Sequence, residues 1–232
     1  MRVVFVHGAC VRDGAWWWQP TGALLQEAGV PSAAAVLPSC GEGPAAPGTS
    51  GPGLPEDVAA LRQLLEASGE PTVVVAHSYG GVVTAQAAVG VAAVRHVLLI
   101  SSYLAEVGES LSSFGGDSPA PFLDIDPDAG TFGVRPELLV DTFLHDCRDL
   151  ADEAIARLVR QSVQVTQQPV EAAVWGSVAT SYLVCAQDRG TPAERQRTFA
   201  RRADRVVEVD AGHHPFLSQP AVVRDVVLSL SQ

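Results

Sequence analysis

The stretch Val73-Val74-Val75-Ala76-His77-Ser78-Tyr79-Gly80-Gly81 decides how this chain is read. The β-branched, apolar residues that open it suit a strand covered on both faces, while Val82 to Val89 are mostly small and apolar, as a helix packed on a sheet requires. Only a tight turn fits between them, with Ser78 at its apex. Such a turn forces the serine backbone into a strained conformation. It is tolerated when the residues two before and two after carry almost no side chain, and here they are Ala76 and Gly80. The pattern is GxSxG with alanine for the first glycine, a departure of one methyl. Taken alone such a string says little, so its meaning rests on what surrounds it.

Working outward, apolar strand-like runs recur at 2–6, 33–37, 72–76, 94–100, 181–186 and 205–209, most of them separated by segments of helical period. That alternation predicts an α/β fold, a mostly parallel sheet flanked by helices on both faces. Tryptophans and leucines spaced for one helix face fill Ala15 to Ala28 before Gly29. Pro55 to Ala67 repeats the device, with proline in the first turn and Gly69 beyond the end. Pro38 to Gly53 is rich in glycine and proline, without periodicity, and reads as a long surface loop. Between Leu104 and Val178 the alternation stops. Helical segments are expected near 136–146, 149–162 and 168–175, which reads as a helical cap, residues 104–178, inserted between core segments 1–103 and 179–232. A loop before them carries Phe114, Phe122, Leu123 and Phe132; these glue the cap to the sheet, line a pocket, or do both.

Composition bounds the function. The 232 residues carry 15 basic against 26 acidic side chains, a formal net charge of −11. That field repels phosphate backbones and anionic lipid surfaces, so neither nucleic acid nor membrane is an expected partner. Met1 to Val6 already looks like a core strand, and no apolar run reaches the length of a signal region or spanning helix; the expectation is a cytoplasmic protein. Cys10, Cys40, Cys147 and Cys185 show neither zinc-site pairing nor the density of a disulfide scaffold, and read as free packing thiols.

A serine hydroxyl needs a base within hydrogen-bonding reach, itself oriented by a carboxylate. The strand Ser181 to Ala186 runs into Gln187-Asp188-Arg189-Gly190, which puts Asp188 at the carboxyl edge of the sheet, where open α/β proteins hold ligands. The last strand leads into Asp210-Ala211-Gly212-His213-His214-Pro215 at the same edge, and one of the two histidines is expected to face Ser78. Backbone N–H groups must meet the developing oxyanion. Tyr79 offers one at a helix N-terminus, and the loop His7-Gly8-Ala9-Cys10 offers another at Ala9. No metal is expected, because His213 and His214 are adjacent rather than spaced for one helix face.

These residues resemble the α/β-hydrolase superfamily along the whole chain, and within it the branch of plant methylesterases, hydroxynitrile lyases and bacterial esterases. The resemblance rests on HGAC followed by Gly14-Ala15-Trp16, on Leu37-Pro38-Ser39-Cys40-Gly41, on AHSYGG, on Asp188 with Pro192 and Gln196 after it, and on GHHPFLSQP from Gly212 to Pro220. It implies Ser78 as nucleophile, His213 as base, Asp188 as orienting acid, Ala9 and Tyr79 as oxyanion donors, and no cofactor. Pocket candidates are Gly8, Cys10, Trp16, His77, Phe114, Phe122, Phe143 and His214.

The leading expectation is a serine hydrolase acting on a small carboxylic ester, thioester or lactone, its partner a small molecule, with a homodimer allowed. The alternatives are a carbon–carbon lyase on the same scaffold and a binding protein with an idle triad. In the hydroxynitrile lyases of this branch the positions of Gly8 and His214 are threonine and lysine, so this chain leans to the esterase.

Overall fold

A computed structural model describes residues 1–116 and 118–230. The deciding stretch folds as read: β3 (Thr72–His77) is buried along its whole length, and α3 (Gly80–Ala87) follows after one turn. Ser78 has φ +51°, the left-handed region that a residue with a side chain enters only when its surroundings hold it there. The glycines after it are required by space. A Cβ on Gly80 would lie 2.7 Å from the Val6 carbonyl oxygen and 2.8 Å from that of His7, and one on Gly81 would lie 2.6 Å from the Tyr103 carbonyl oxygen. These are backbone atoms, which cannot swing aside as a side chain would.

Around β3 lie β1 (Arg2–Val6), β2 (Ser32–Ala34), β4 (Val94–Ile100), β8 (Ala179–Cys185) and β9 (Arg205–Val209), in the order β2-β1-β3-β4-β8-β9 with every neighbouring pair parallel. The chain moves outward from β1 to β2, then returns to place β3 on the other side of β1. This reversal opens a crevice beyond the carboxyl ends of β1 and β3, the place where open α/β sheets bind ligands. β2 is shorter than the expected 33–37, because after Ala34 the chain leaves the sheet to reach the turn at Pro38–Cys40.

Both faces of the sheet are covered. α1 (Gly14–Glu27) packs its Trp17, Trp18 and Leu25 with α8 (Pro220–Ser229) on one side. On the other lie α2 (Leu54–Glu66) and α3. The Asp13 carboxylate caps α1 by accepting the Trp16 N–H, and Gly29 ends it at φ +77°, as expected. α2 begins with Pro55 in its first turn, and the Glu56 side chain reaches back to the Gly53 N–H. α6 (Ala193–Ala200) follows β8, and α7 (Pro215–Ser218) follows β9.

The excursion between β4 and β8 corrects the expectation of consecutive helices. α4 (Pro136–Phe143) forms within its expected span and α5 (Ala151–Ile155) occupies part of the next, but 168–175 is not helical. The segment also builds a small antiparallel sheet from β5 (Leu123–Asp126), β6 (Thr131–Val134) and β7 (Gln161–Ser162). The loop 38–53 is likewise less peripheral than expected, since Ser39 and Cys40 are buried. All four cysteines are free and buried. Among the described residues no helix is long and apolar enough to cross a membrane.

Candidate active site

At the carboxyl edge of the sheet a cavity of about 550 Å³ opens beneath the excursion, and Gly8, Ala9, Ser78, Tyr79, His213 and His214 all line it. Ser78 comes from the end of β3 and His213 from the loop between β9 and α7. Asp188, just past β8, lies behind the histidine and is 6 % exposed. His213 Nδ1–H donates to Asp188 Oδ2 at 2.7 Å.

The carboxylate is held from every side. Its Oδ1 accepts the Gly190 and Thr191 N–H groups at 2.8 and 3.0 Å, and its Oδ2 accepts Gln196 Nε2 at 3.0 Å and the Ser101 hydroxyl. Burial works to raise the Asp188 carboxyl, but the facing His213 ring and these hydrogen bonds outweigh it and leave the group below its ordinary range. Ser101 Oγ also lies 3.1 Å from His213 Nδ1. No motif in the sequence points to Ser101. Its φ of +42° is the one local sign of a special position, and a sequence does not display it.

The neighbouring histidines have structural partners. His77 Nε2–H donates to the His213 carbonyl at 3.0 Å and so buttresses the loop that carries it. His214 Nδ1–H donates to the Phe143 carbonyl at 3.0 Å, and its ring stacks on Trp17. Burial, followed by the neighbouring rings, pushes His77 well below the usual imidazole value; His214 is lowered by burial and then by His213, to about 3. His7 bridges Glu42 and the Gly8 carbonyl, each at 2.8 Å.

Below the ordinary value of 6.5 the unfolded chain takes up a proton that folded His214 refuses, so His214 favours the folded state fully above that pH and this contribution is lost as pH falls. The slope is about 1.4 kcal/mol per pH unit, so about 2 kcal/mol is lost between pH 6.5 and 5. His77 acts in the same direction, and the lowered Asp188 adds a further loss below about pH 4. Urea unfolding at pH 7 and pH 5 measures this; equal stability at the two would refute the burial of neutral imidazoles.

One nitrogen from each of His77, His213 and His214 lies within 4.8 Å of the other two, the one such group of possible metal ligands among the described residues. Sequence spacing missed it because His77 arrives from another strand. Nitrogens on one tetrahedral zinc ion sit about 3.3 Å apart. Each ring also already spends a nitrogen on an oxygen acceptor, His213 on Asp188.

Of the expected pocket residues, Gly8, Cys10, His77, Phe114, Phe122, Phe143 and His214 line the cavity. Trp16 does not. Its indole N–H donates to Glu153 at 2.8 Å and its ring lies under Arg157, so the cavity wall receives the next residue, Trp17. Cys10 is fully buried, and burial raises its thiol far out of the reactive range. A Cβ on Gly8 would lie 3.1 Å from both Ser78 Cβ and His77 Nδ1, so a threonine here would crowd the serine.

The fold and this edge of the sheet define a class, and the family comparison agrees: residues 3–226 match the model of the alpha/beta hydrolase family, to which the chain belongs. Among curated relatives it is 27% identical over 185 residues to alpha/beta hydrolase nvfD of Aspergillus novofumigatus, covering 72% of this chain and 74% of that one. It is 24% identical over 266 residues to polyneuridine aldehyde esterase of Rauvolfia serpentina, covering 98% and 94%. Among solved structures, a pyrethroid hydrolase from Sphingobium faniae superposes with a TM-score of 0.86 at 18% identity, covering 100% of this chain and 97% of the other.

Proposed function

We propose that this hydrolase cleaves a neutral carboxylic ester through an acyl-serine intermediate. The observation that carries the reading is Ser78, held at positive φ at the head of a helix, sharing a cavity with a histidine bonded to a buried carboxylate. In the proposed cycle, Ser78 Oγ attacks the ester carbon while His213 Nε2 takes its proton. Asp188 keeps the imidazole in the tautomer with hydrogen on Nδ1, so that Nε2 holds the lone pair. The N–H groups of Ala9 and Tyr79 receive the oxyanion, and the second gains from the positive end of α3. His213 then returns the proton to the leaving alkoxide. Water completes the cycle by the same route.

The cavity wall supports the choice of substrate. Leu111, Phe122, Leu123, Ile125, Phe132 and Leu139 supply apolar surface, and Arg195 is the one formally charged residue in the described wall. Its guanidinium already donates to the Phe114 carbonyl at 2.7 Å. A cationic group would find no carboxylate in this wall and an anionic one only the Arg195 guanidinium, while an uncharged group loses little on entry. The esterase names among the relatives support the same chemistry.

The test is covalent trapping. A fluorophosphonate is expected to abolish turnover and leave its adduct on Ser78 by mass spectrometry. An activated aryl ester quenched at low pH is expected to leave an acyl group there, and exhaustive chelation to change nothing. No trapped acyl group, with cyanide released from a cyanohydrin instead, would replace the esterase reading with a lyase.

A further inference from the structure

A buried chain of hydrogen bonds joins the two proposed oxyanion donors through a residue of the excursion. The loop after β1 is strapped to residues 157–161 by main-chain hydrogen bonds, Arg12 N–H to the Arg157 carbonyl at 3.0 Å and Val159 N–H to the Cys10 carbonyl at 2.9 Å. Cys10 itself has φ +59°, which a side-chain-bearing residue keeps only where its surroundings fix it. Its N–H donates to Gln161 Oε1 at 3.0 Å. The same amide's Nε2 donates to Ser39 Oγ at 2.8 Å, and the Ser39 hydroxyl donates to Asp57 Oδ2. Asp57 Oδ2 also accepts the Tyr79 hydroxyl at 2.7 Å, and Oδ1 accepts the Ser39 N–H at 2.8 Å. Gln161, Ser39 and Asp57 are all 0 % exposed.

The bond directions are forced. The Cys10 N–H can only donate, which sets the Gln161 oxygen toward it and the amide nitrogen toward Ser39, and the carboxylate ends the chain as acceptor. Planar peptides carry this order to the cavity. The Gly8 carbonyl and the Ala9 N–H belong to one trans peptide, so the His7 ring that holds that carbonyl aims the N–H the opposite way. Gln161 fixes the next peptide unit through Cys10. Ala9 is thus pinned on both sides. At the other end, Asp57 anchors the side chain of Tyr79, whose N–H is the second donor.

We propose that Gln161 is a positioning residue for the oxyanion hole: through Cys10 on one side and Ser39, Asp57 and Tyr79 on the other, it couples the excursion over the cavity to the aim of both donors. The proposal rests on the acyl-serine reading above. Preorganised donors matter because they stabilise the tetrahedral oxyanion more than the ground-state ester.

The test is Gln161→Met, which keeps length and removes both hydrogen bonds. With the activated aryl ester, kcat is expected to fall about 10- to 100-fold while KM changes less than about 3-fold. Affinity for a trifluoromethyl ketone, which adds to Ser78 and places an oxyanion in the hole, is expected to fall in step with kcat/KM. Affinity for the unfluorinated ketone should hold. A folded variant with kcat within about twofold of wild type, or one that loses both ketones equally, overturns the proposal. Should Gln161→Met fail to fold, Ser39→Ala cuts the chain at its middle, and the same measurements and criteria decide with it. A wild-type enzyme with no ester turnover and no preference between the ketones would overturn the acyl-serine reading and this proposal together; an active wild type beside an unaffected variant overturns the positioning role alone.

Discussion

Replacing Ser78 with alanine is expected to lower ester turnover by about 10⁴-fold or more, because without the proposed nucleophile only binding and oxyanion stabilisation would remain. The size of the effect follows from the turn itself. β3 delivers Ser78 at φ +51° to the apex of the turn, and the glycine after it packs against the backbone that follows β1, so the position of this hydroxyl is set by the turn and alanine leaves it empty. Alanine accepts the same backbone at a modest cost, and circular dichroism with urea unfolding separates lost chemistry from lost structure. A folded Ser78→Ala protein that keeps a tenth of the wild-type rate would sink the assignment.

Replacing His213 with alanine is expected to cost a similar factor, and replacing His214 far less. Both rings are buried and both line the cavity, but their partners differ. His213 meets the carboxylate of Asp188, which can stabilise an imidazolium; His214 donates to the uncharged Phe143 carbonyl and packs among the rings of Trp17, His77, Phe143, His213 and Phe216. Burial also makes a proton on His214 costly. Initial rates with the activated ester at neutral pH rank the two variants. If His214→Ala proved the more damaging, the base would have to be reassigned to it.

Much of the scaffold was legible from residue order because the physics involved is local. The β-branched run before Ser78 and the glycines after it can build little else than a strand, a strained turn and a helix, and the contacts a Cβ on Gly80 would make show why no larger residue could stand there. Asp188 and His213 were legible for a related reason: each leaves the carboxyl end of a strand, and parallel strands put all such ends on one edge.

The excursion was less legible. Segments 149–162 and 168–175 carry helical periodicity, yet short apolar segments take strand, helix or coil according to what they pack against, and β6 recruits Gln161 and Ser162 as a third strand. Three consecutive tryptophans could not be sorted either. Successive helical residues point about 100° apart, so which of them meets the cavity depends on where α1 sits on the sheet.

What the sequence by itself determined is therefore the strained serine turn, the parallel sheet and the edge at which serine, carboxylate and histidine emerge, since each is signalled by residues a few positions apart. Tertiary structure alone decided that Trp17 rather than Trp16 faces the cavity, that Ser101 bonds the Asp188 carboxylate, and that Gln161, Ser39, Asp57 and Tyr79 form one buried chain of hydrogen bonds. Those partners are remote in sequence, Ser39 and Gln161 by 122 positions. Each polar group, once stripped of water by the folded core, had to find whatever partner the fold brought within reach.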